Sequence, residues 1–291
     1  LALQKSFAGN ALGVLYLVAT PIGNLQDITF RALEVFKEVS VIACEDTRQT
    51  IKLLNHFQIQ KKLLSYHEHN KEKIGEQILR LLLNGEKIAL VSDAGTPAIS
   101  DPGYDLVSLV LKHEIPVISI PGANAALTAL IASGLLPYPF IFYGFLPREE
   151  KEAKKELERI KDYPETLVFY EAPHRLKKRL GEMFKTLGDR KLVLARELTK
   201  RYEEYYRGSL GEWLEEVEES EIRGEYTVIL SGATHDKETE SKWWEELTII
   251  DHVHYYLKKG YSKSEAIKLT ANDRGVKKND LYREFHLNEE K

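Results

Sequence analysis

The sequence predicts an α/β protein with two α/β domains, a parallel sheet followed by a mixed one, and a small helical segment at the C-terminal end. Three observations predict this. Five short apolar runs alternate with amphipathic stretches as far as residue 135, the order that builds a parallel sheet with helices on both faces. A break at Leu135–Pro147, with Pro137, Pro139 and Pro147, then gives way to strands lying closer together in sequence. Beyond Trp243 the spacing is helical throughout.

The elements follow in order. Val14–Ala19 is an apolar run stopped by Thr20 and Pro21, a strand and a turn. Ile28–Val39 places Ile28, Ala32, Val35 and Phe36 on one helical face. Three strand–helix pairs come next: Ser40–Ala43 with Thr47–Phe57, Lys62–Tyr66 with Ile74–Leu83, and Ile88–Val91 with Tyr104–Lys112. Val117–Ile120 is a fifth strand, with a helix starting near Asn124. After the break, Glu149–Lys161 is a charged, solvated helix. Thr166–Tyr170, Leu192–Ala195, Glu203–Arg207 and Tyr226–Leu230 are strands, with helices at Leu176–Leu187 and Leu210–Glu219. Ala233–Ser241 is a polar linker. In the tail, Ser262 and Glu265 have capping-box spacing, and Asn279 or Asp280 is a candidate cap. The expected boundaries are a flexible lead-in over 1–12, an N-terminal domain over 13–135, a second domain over 136–232, and a linker with helical tail over 233–291.

Length and composition fit this division, since 291 residues suggest two domains and 43% hydrophobic content fills two cores. The net charge of −4 is not that of a strongly basic binder of bare nucleic acid, so any such affinity must come from local patches. A single cysteine, Cys44, excludes an internal disulfide and a cysteine zinc cluster and fits a reducing, cytoplasmic setting. The longest apolar stretch, Ala125–Leu136, is interrupted by Ser133 and Gly134 and is far short of the ~20 residues of a membrane helix. Leu1–Ala11 has no long apolar core and reads as a lead-in, not a signal peptide. His67 and His69 flank Glu68 without further ligands at metal spacing, so they read as a surface loop, and no metal is expected.

Ligands of open parallel sheets collect at the carboxyl ends of the strands. Four such ends here carry small, turn-forming or charged residues: Thr20–Asn24, Glu45–Arg48, Ser92–Pro97 running on to Ser100–Gly103, and Pro121–Asn124. Any one of them reads equally well as an ordinary turn; four at one edge indicate a ligand cleft. The first loop lacks the glycine fingerprint of dinucleotide binding, and no phosphate-binding P-loop occurs. Ser92 and Ser100 lack the strand–turn–helix context of a hydrolase nucleophile.

At these loops the sequence resembles the tetrapyrrole-methylase superfamily and, within it, the ribosomal RNA 2'-O-methyltransferases. The runs that carry the resemblance are Leu17–Leu25, Ala43–Arg48, Val91–Pro97 and Tyr170–Arg175, extended by Arg196–Lys200 and Gly224–Tyr226. Together they span roughly Val14 to Gly232. The resemblance implies S-adenosylmethionine (SAM) folded between two α/β domains, a homodimer, and a cytidine ribose of 16S rRNA as acceptor. By motif, Pro21, Ser92, Asp93, Ala94, Pro97, Asn124 and Ala125 are expected to line the donor, with Glu171 and Gly208 from the second domain. The chain departs from tetrapyrrole-modifying relatives, which have Gly-Asp-Pro where it has Ser92-Asp93-Ala94.

Methyl transfer to oxygen is a direct displacement that depends on alignment and, for a ribose hydroxyl, on a proton acceptor. Glu45, Asp46, Glu197 and Lys200 are the candidates, each with an ordinary reading as cap or salt bridge. Arg48, His174 and Arg175 are candidates for RNA phosphate. In the tail, eight cations face three acids between His252 and Arg283, with tyrosines interleaved. Lys258, Lys259, Lys277 and Lys278 are the expected RNA contacts there, against a bland alternative of a solvated helical appendage. Two rival functions are methylation of a small tetrapyrrole precursor and a non-catalytic SAM-binding module. The acidic net charge favours RNA presented within an assembled small subunit over bare RNA.

Overall fold

The structure is a computed structural model that describes Gln4, residues 13–217, 222–234, Trp244 and residues 247–289. The expected lead-in apart from Gln4, the linker beyond Thr234 and the end of the acidic helix at Glu219 lie outside the described residues. The chain divides into two compact units, Leu1–Ala233 and Thr234–Lys291.

In the first unit, β1 (Val14–Val18), β2 (Val41–Cys44), β3 (Lys62–Ser65), β4 (Lys87–Val91) and β5 (Val117–Ile120) form an all-parallel sheet in the order β3-β2-β4-β1-β5. Its strands alternate between two cores, as a sheet covered on both faces requires. On one face Val14, Tyr16 and Val18 meet α1 (Phe30–Glu38) and α2 (Thr47–His56) through Val35, Phe36 and Leu54. On the other, Leu15, Ile88 and Leu90 meet α3 (Lys71–Leu83) and α4 (Tyr104–Lys112) through Ile78, Leu82, Leu106 and Val110. The helix starts are capped locally: the Thr29 hydroxyl accepts from Ala32 N–H at 3.1 Å, and the Asp46 carboxylate accepts from Arg48 N–H at 2.8 Å.

The second sheet, in the order β6-β7-β10-β8-β9, is mixed as expected. Its strands are β6 (Phe140–Phe145), β7 (Thr166–Glu171), β8 (Lys191–Arg196), β9 (Glu204–Ser209) and β10 (Tyr226–Leu230). Only the β6–β7 pair is parallel. Strand β6 corrects the sequence reading, which took Leu135–Pro147 as a break. Pro139 and Pro147 bracket this strand instead of interrupting it, and neither removes a donor from its ladder. One face of the sheet packs on α6 (Glu150–Ile160), α7 (Pro173–Leu187) and α8 (Leu210–Glu216). The other packs on α5 (Ala125–Ser133), whose Ala126, Ala129 and Leu130 meet Val168, Val193 and Ile229. Helix α5 follows the last strand of the first sheet yet buries its apolar side against the second, which ties the two sheets into one compact unit.

The second unit holds α9 (Ile249–Lys258), α10 (Lys263–Arg274) and α11 (Lys278–Glu289) around Val253, Ile267, Ala271, Leu281 and Phe285. At the start of α10, Ser262 N–H donates to the Glu265 carboxylate at 3.1 Å, in line with the capping spacing. Asn279 and Asp280 sit inside the first turn of α11, which begins at Lys278, two residues earlier than a cap at Asn279 and three earlier than a cap at Asp280 would require.

Candidate functional site

The carboxyl edge of the first sheet faces the second sheet, and the loops there are knitted together by backbone bonds. Thr20 and Gly95 exchange N–H···O bonds at 2.9 and 3.0 Å, tying the β1 loop to the β4 loop. The buried Ser92 hydroxyl donates to the carbonyl of Ala94 at 3.1 Å and fixes that turn. Asn124 caps α5, accepting from Leu127 N–H at 3.0 Å, and its amide reaches Thr96 Oγ1 at 3.4 Å. From the opposite side comes the turn after β8, where Glu197 and Thr199 have φ of 49° and 65°. That conformation is strained for a β-branched threonine. It presses Thr199 and Lys200 against the β1 loop: Asn24 N–H donates to Thr199 Oγ1 at 3.0 Å.

Between these loops lie two adjoining hollows. The larger, of about 480 Å³, is lined by Ala94, Asn124 and Ala125 from the first sheet's edge and by Tyr170, Glu171 and Leu198 from the second. The smaller, of about 310 Å³, is lined by Pro21, Ser92, Asp93 and Lys200 among others. Ile22, Ala94 and Glu225 border both and form the ridge between them.

The electrostatics divide the polar residues by role. Glu171 is only 4% exposed, and burial pushes its carboxyl up despite the Ala172 N–H and the guanidiniums of Arg175 and Arg179, 3.5 and 3.6 Å away. Lys200 bridges Glu197 and Glu225 at 3.0 and 2.9 Å. Burial works against its charge, but these two carboxylates outweigh that and raise its pKa. Burial would likewise raise Glu197, yet the Glu225 N–H and Lys200 outweigh it and hold it low. Asp46 is held low by the Arg48 guanidinium, which grips it at 2.8 Å, and by the Arg48 N–H. Glu45 is pushed up by burial and by nearby Asp93. The residue that stands apart is Asp101, on the larger hollow's wall: burial, then Glu45 and Asp93, push its carboxyl up to about 6.

The structure therefore gathers Pro21, Ser92, Asp93, Ala94, Asn124, Ala125, Glu171, Glu197 and Lys200 around one cleft, with Glu45 near its Asp101 wall. Pro97 is buried behind the β4 loop and lines neither hollow. Gly208 is set apart: it pairs with Leu192 and lines a separate hollow with Ser133 and Arg207. Arg48 projects into solvent while paired to Asp46. His174 is exposed at the lip of the larger hollow, and Arg175 lies half-buried one residue further along α7. Lys258, Lys259, Lys277 and Lys278 are exposed on the second unit. Arg274, counted with them by sequence, is instead structural: it donates to His252 Nδ1 and to the carbonyls of Trp244 and Thr248. Asp101 was missed because Ser100-Asp101-Pro102-Gly103 reads as a turn. Its signal was a fourth carboxylate near the edge that already carries Glu45, Asp46 and Asp93.

A two-sheet frame with its cleft at the first sheet's carboxyl edge defines a class, and the comparisons identify it. The profile of the family described as Tetrapyrrole (Corrin/Porphyrin) Methylases matches residues 14–214, and the chain belongs to that family. Its solved structural relatives include the uroporphyrin-III C-methyltransferase of Thermus thermophilus complexed with S-adenosyl homocysteine. The match to it has a TM-score of 0.53 and 23% identity and covers 75% of this chain and 97% of that one. A cobalt precorrin-4 methyltransferase matches at a TM-score of 0.57 and 16% identity, over 75% of this chain and 94% of that one. At these identities the likeness is one of fold. Sequence relatives are far nearer. The chain is 52% identical to ribosomal RNA small subunit methyltransferase I of Bacillus subtilis (strain 168), over 98% of both chains. It is 55% identical to the protein of the same name from Halalkalibacterium halodurans, over 94% of this chain and 95% of that one.

Proposed function

We propose that this chain transfers a methyl group from SAM to the 2'-oxygen of a cytidine ribose in 16S rRNA, acting on the assembled small ribosomal subunit in the cytoplasm. The observation that carries the reading is the near-full-length similarity to relatives named ribosomal RNA small subunit methyltransferase I. The tetrapyrrole alternative rests on the family profile and on a fold shared at low sequence identity.

The larger hollow fits the donor in three respects. Its volume of about 480 Å³ is that of a small-molecule site. Its walls at Ala94, Gly95 and Ala125 are small enough for a ring to lie against backbone. Asp101, Glu45 and Asp93 bias it negative, which suits a cationic sulfonium. Ala94, Asn124, Ala125 and Glu171 are the residues assigned to hold the donor, with Pro21, Ser92 and Asp93 shaping the adjoining wall. When bound, the donor supplies an electrophilic methyl carbon on a positively charged sulfur. Asp101 is the residue we assign to accept the 2'-hydroxyl proton: a carboxyl at about 6 is ionised at neutral pH yet basic enough to take a proton. Lys200 stays an ammonium between two carboxylates and holds the ridge together, and Asp46 is committed to Arg48. Ile22, Leu198 and Tyr170 keep water from the reacting oxygen. Association as a homodimer is supported by exposed Leu127 and Ile131, one turn apart on α5, with exposed Leu136 and Tyr138 following.

The test is transfer of isotopically labelled methyl from SAM to small subunits, protein-free 16S rRNA and tetrapyrrole precursors, with nucleoside mass spectrometry of the RNA. The expected product is 2'-O-methylcytidine, formed fastest on the subunit. Label on a tetrapyrrole, or on no acceptor, overturns the proposal.

A further inference from the structure

A further hollow, of about 760 Å³, opens beside the donor cavity and shares Phe145, Ala172 and His174 with it. Its remaining polar walls are Arg148, Arg175, Lys178 and Arg179, and no acid lines it. The cations differ in their freedom. Arg179 is a buried floor, donating to the carbonyls of Pro147 and Arg148 and pairing with Glu182 at 2.6 Å. Arg175 leans on buried Glu171. Lys178 is exposed and makes a surface pair with Glu150 at 2.8 Å, the kind of contact that contributes little and exchanges readily. Arg148, exposed three residues beyond β6, has no ion-pair partner among the described residues. At the lip shared with the donor cavity, Phe145 leaves 53% of its surface open, its ring 5.6 Å from that of Tyr170.

Exposed cations over a buried cationic floor, next to an exposed aromatic ring, are what a single nucleic acid strand requires: charge for the phosphodiester and a flat face for an unstacked base. A duplex offers no base face to Phe145, and a small free anion has no use for the ring. We propose that this hollow is the platform for the single-stranded RNA segment carrying the target ribose, with Arg148 and Lys178 on its phosphates and Phe145 stacked on a neighbouring base. The proposal rests on the RNA reading above and adds to it the path of the strand: it leaves the donor cavity over Phe145 and His174 towards α7.

Two variants of the full chain test it, Arg148→Gln with Lys178→Gln, and Phe145→Leu. Each is first checked for folding by circular dichroism, and the double variant for donor affinity by calorimetry, which should be unchanged because neither residue lines that cavity. Methylation of small subunits is then followed over a range of salt. The double variant should lose roughly tenfold in kcat/KM, and its slope against log salt should be shallower by about 1.4, the value for two single-strand phosphate contacts. Phe145→Leu should lose roughly tenfold while keeping the wild-type slope, since stacking releases no counterions. If both folded variants keep wild-type kcat/KM and slope while the wild type methylates subunits, the platform is overturned and the function stands. If the wild type methylates no RNA, the underlying reading fails and takes the platform with it.

Discussion

Asp101 lines the donor cavity with Glu45 and Asp93 close by, and its position has a thermodynamic cost as well as a chemical use. Its carboxyl is raised to about 6, first by burial and then by Glu45 and Asp93. A carboxyl with a folded pKa above its unfolded value near 4 binds its proton more tightly in the native state, so stability falls as pH rises from about 4 to about 6 and stays lowered above that. Asp101→Asn removes the ionisable group. The variant should therefore gain in melting temperature over the wild type as pH rises through this window, with a constant advantage above it. The same substitution should lower kcat by about 10²–10⁴-fold, the range for loss of a general base, and erase an acid limb near pH 6 from the wild-type profile. Higher stability with full activity would make Asp101 a structural acid only. Local sequence could not single it out, because its pKa is set by residues that arrive from β2 and β4. The alternative candidates take the ordinary reading the sequence also offered: Asp46 caps α2 and pairs with Arg48, and Lys200 pairs with Glu197 and, from further along the chain, Glu225.

At the scale of elements, the strands and helices of the first sheet were readable to within three residues, because buried parallel strands are short apolar runs and their helices have clear amphipathic faces. The largest difference is α3, which starts at Lys71 and not Ile74. Tyr104–Lys112 and Val117–Ile120 have the expected bounds, while β6 was hidden between prolines and α7 starts at Pro173, three residues before the expected Leu176. Proline at a first helical position fits the helix, although in sequence it looks like a breaker. The meeting of the β1 loop with the turn after β8 was not readable at all, since residues 23 and 199 are joined only by the fold. A Cβ added to Gly23 would collide with Lys200 Cγ and lie 2.9 Å from Thr199 Oγ1 and 3.0 Å from the Leu198 carbonyl. Gly23→Ala should force that turn back, break the Asn24–Thr199 hydrogen bond and destabilise the protein by about 1–3 kcal/mol, as overpacking does. Denaturant unfolding measures the loss, and calorimetry should show weaker SAM binding because the ridge between the hollows moves with the turn. Unchanged stability and affinity would mean that the two loops do not depend on this contact.

For the whole molecule, charge is distributed against the average. The chain carries −4, yet the second unit presents Lys258, Lys259, Lys277 and Lys278 to solvent. Its core explains which of its charges are available. Arg274 is spent on carbonyls and His252, and Asp273 is shared by His252 and Tyr256, whose hydroxyl burial and Asp273 push up to about 12. We propose that these four exposed lysines attract phosphate. Replacing all four with Gln in the full chain should leave SAM affinity unchanged, because every wall of the donor cavity comes from residues 22–227. It should weaken binding to small subunits and make the salt dependence shallower, by about 0.7 for each lysine that neutralises a phosphate. A chain ending at Ala233 should show the same two changes, since it keeps both sheets and every hollow described above. Equal salt slopes for the wild type and the lysine variant would make the unit a structural appendage. Loss of SAM binding on truncation, with the lysine variant unaffected, would mean that the first unit needs the second for its fold and not for its charge.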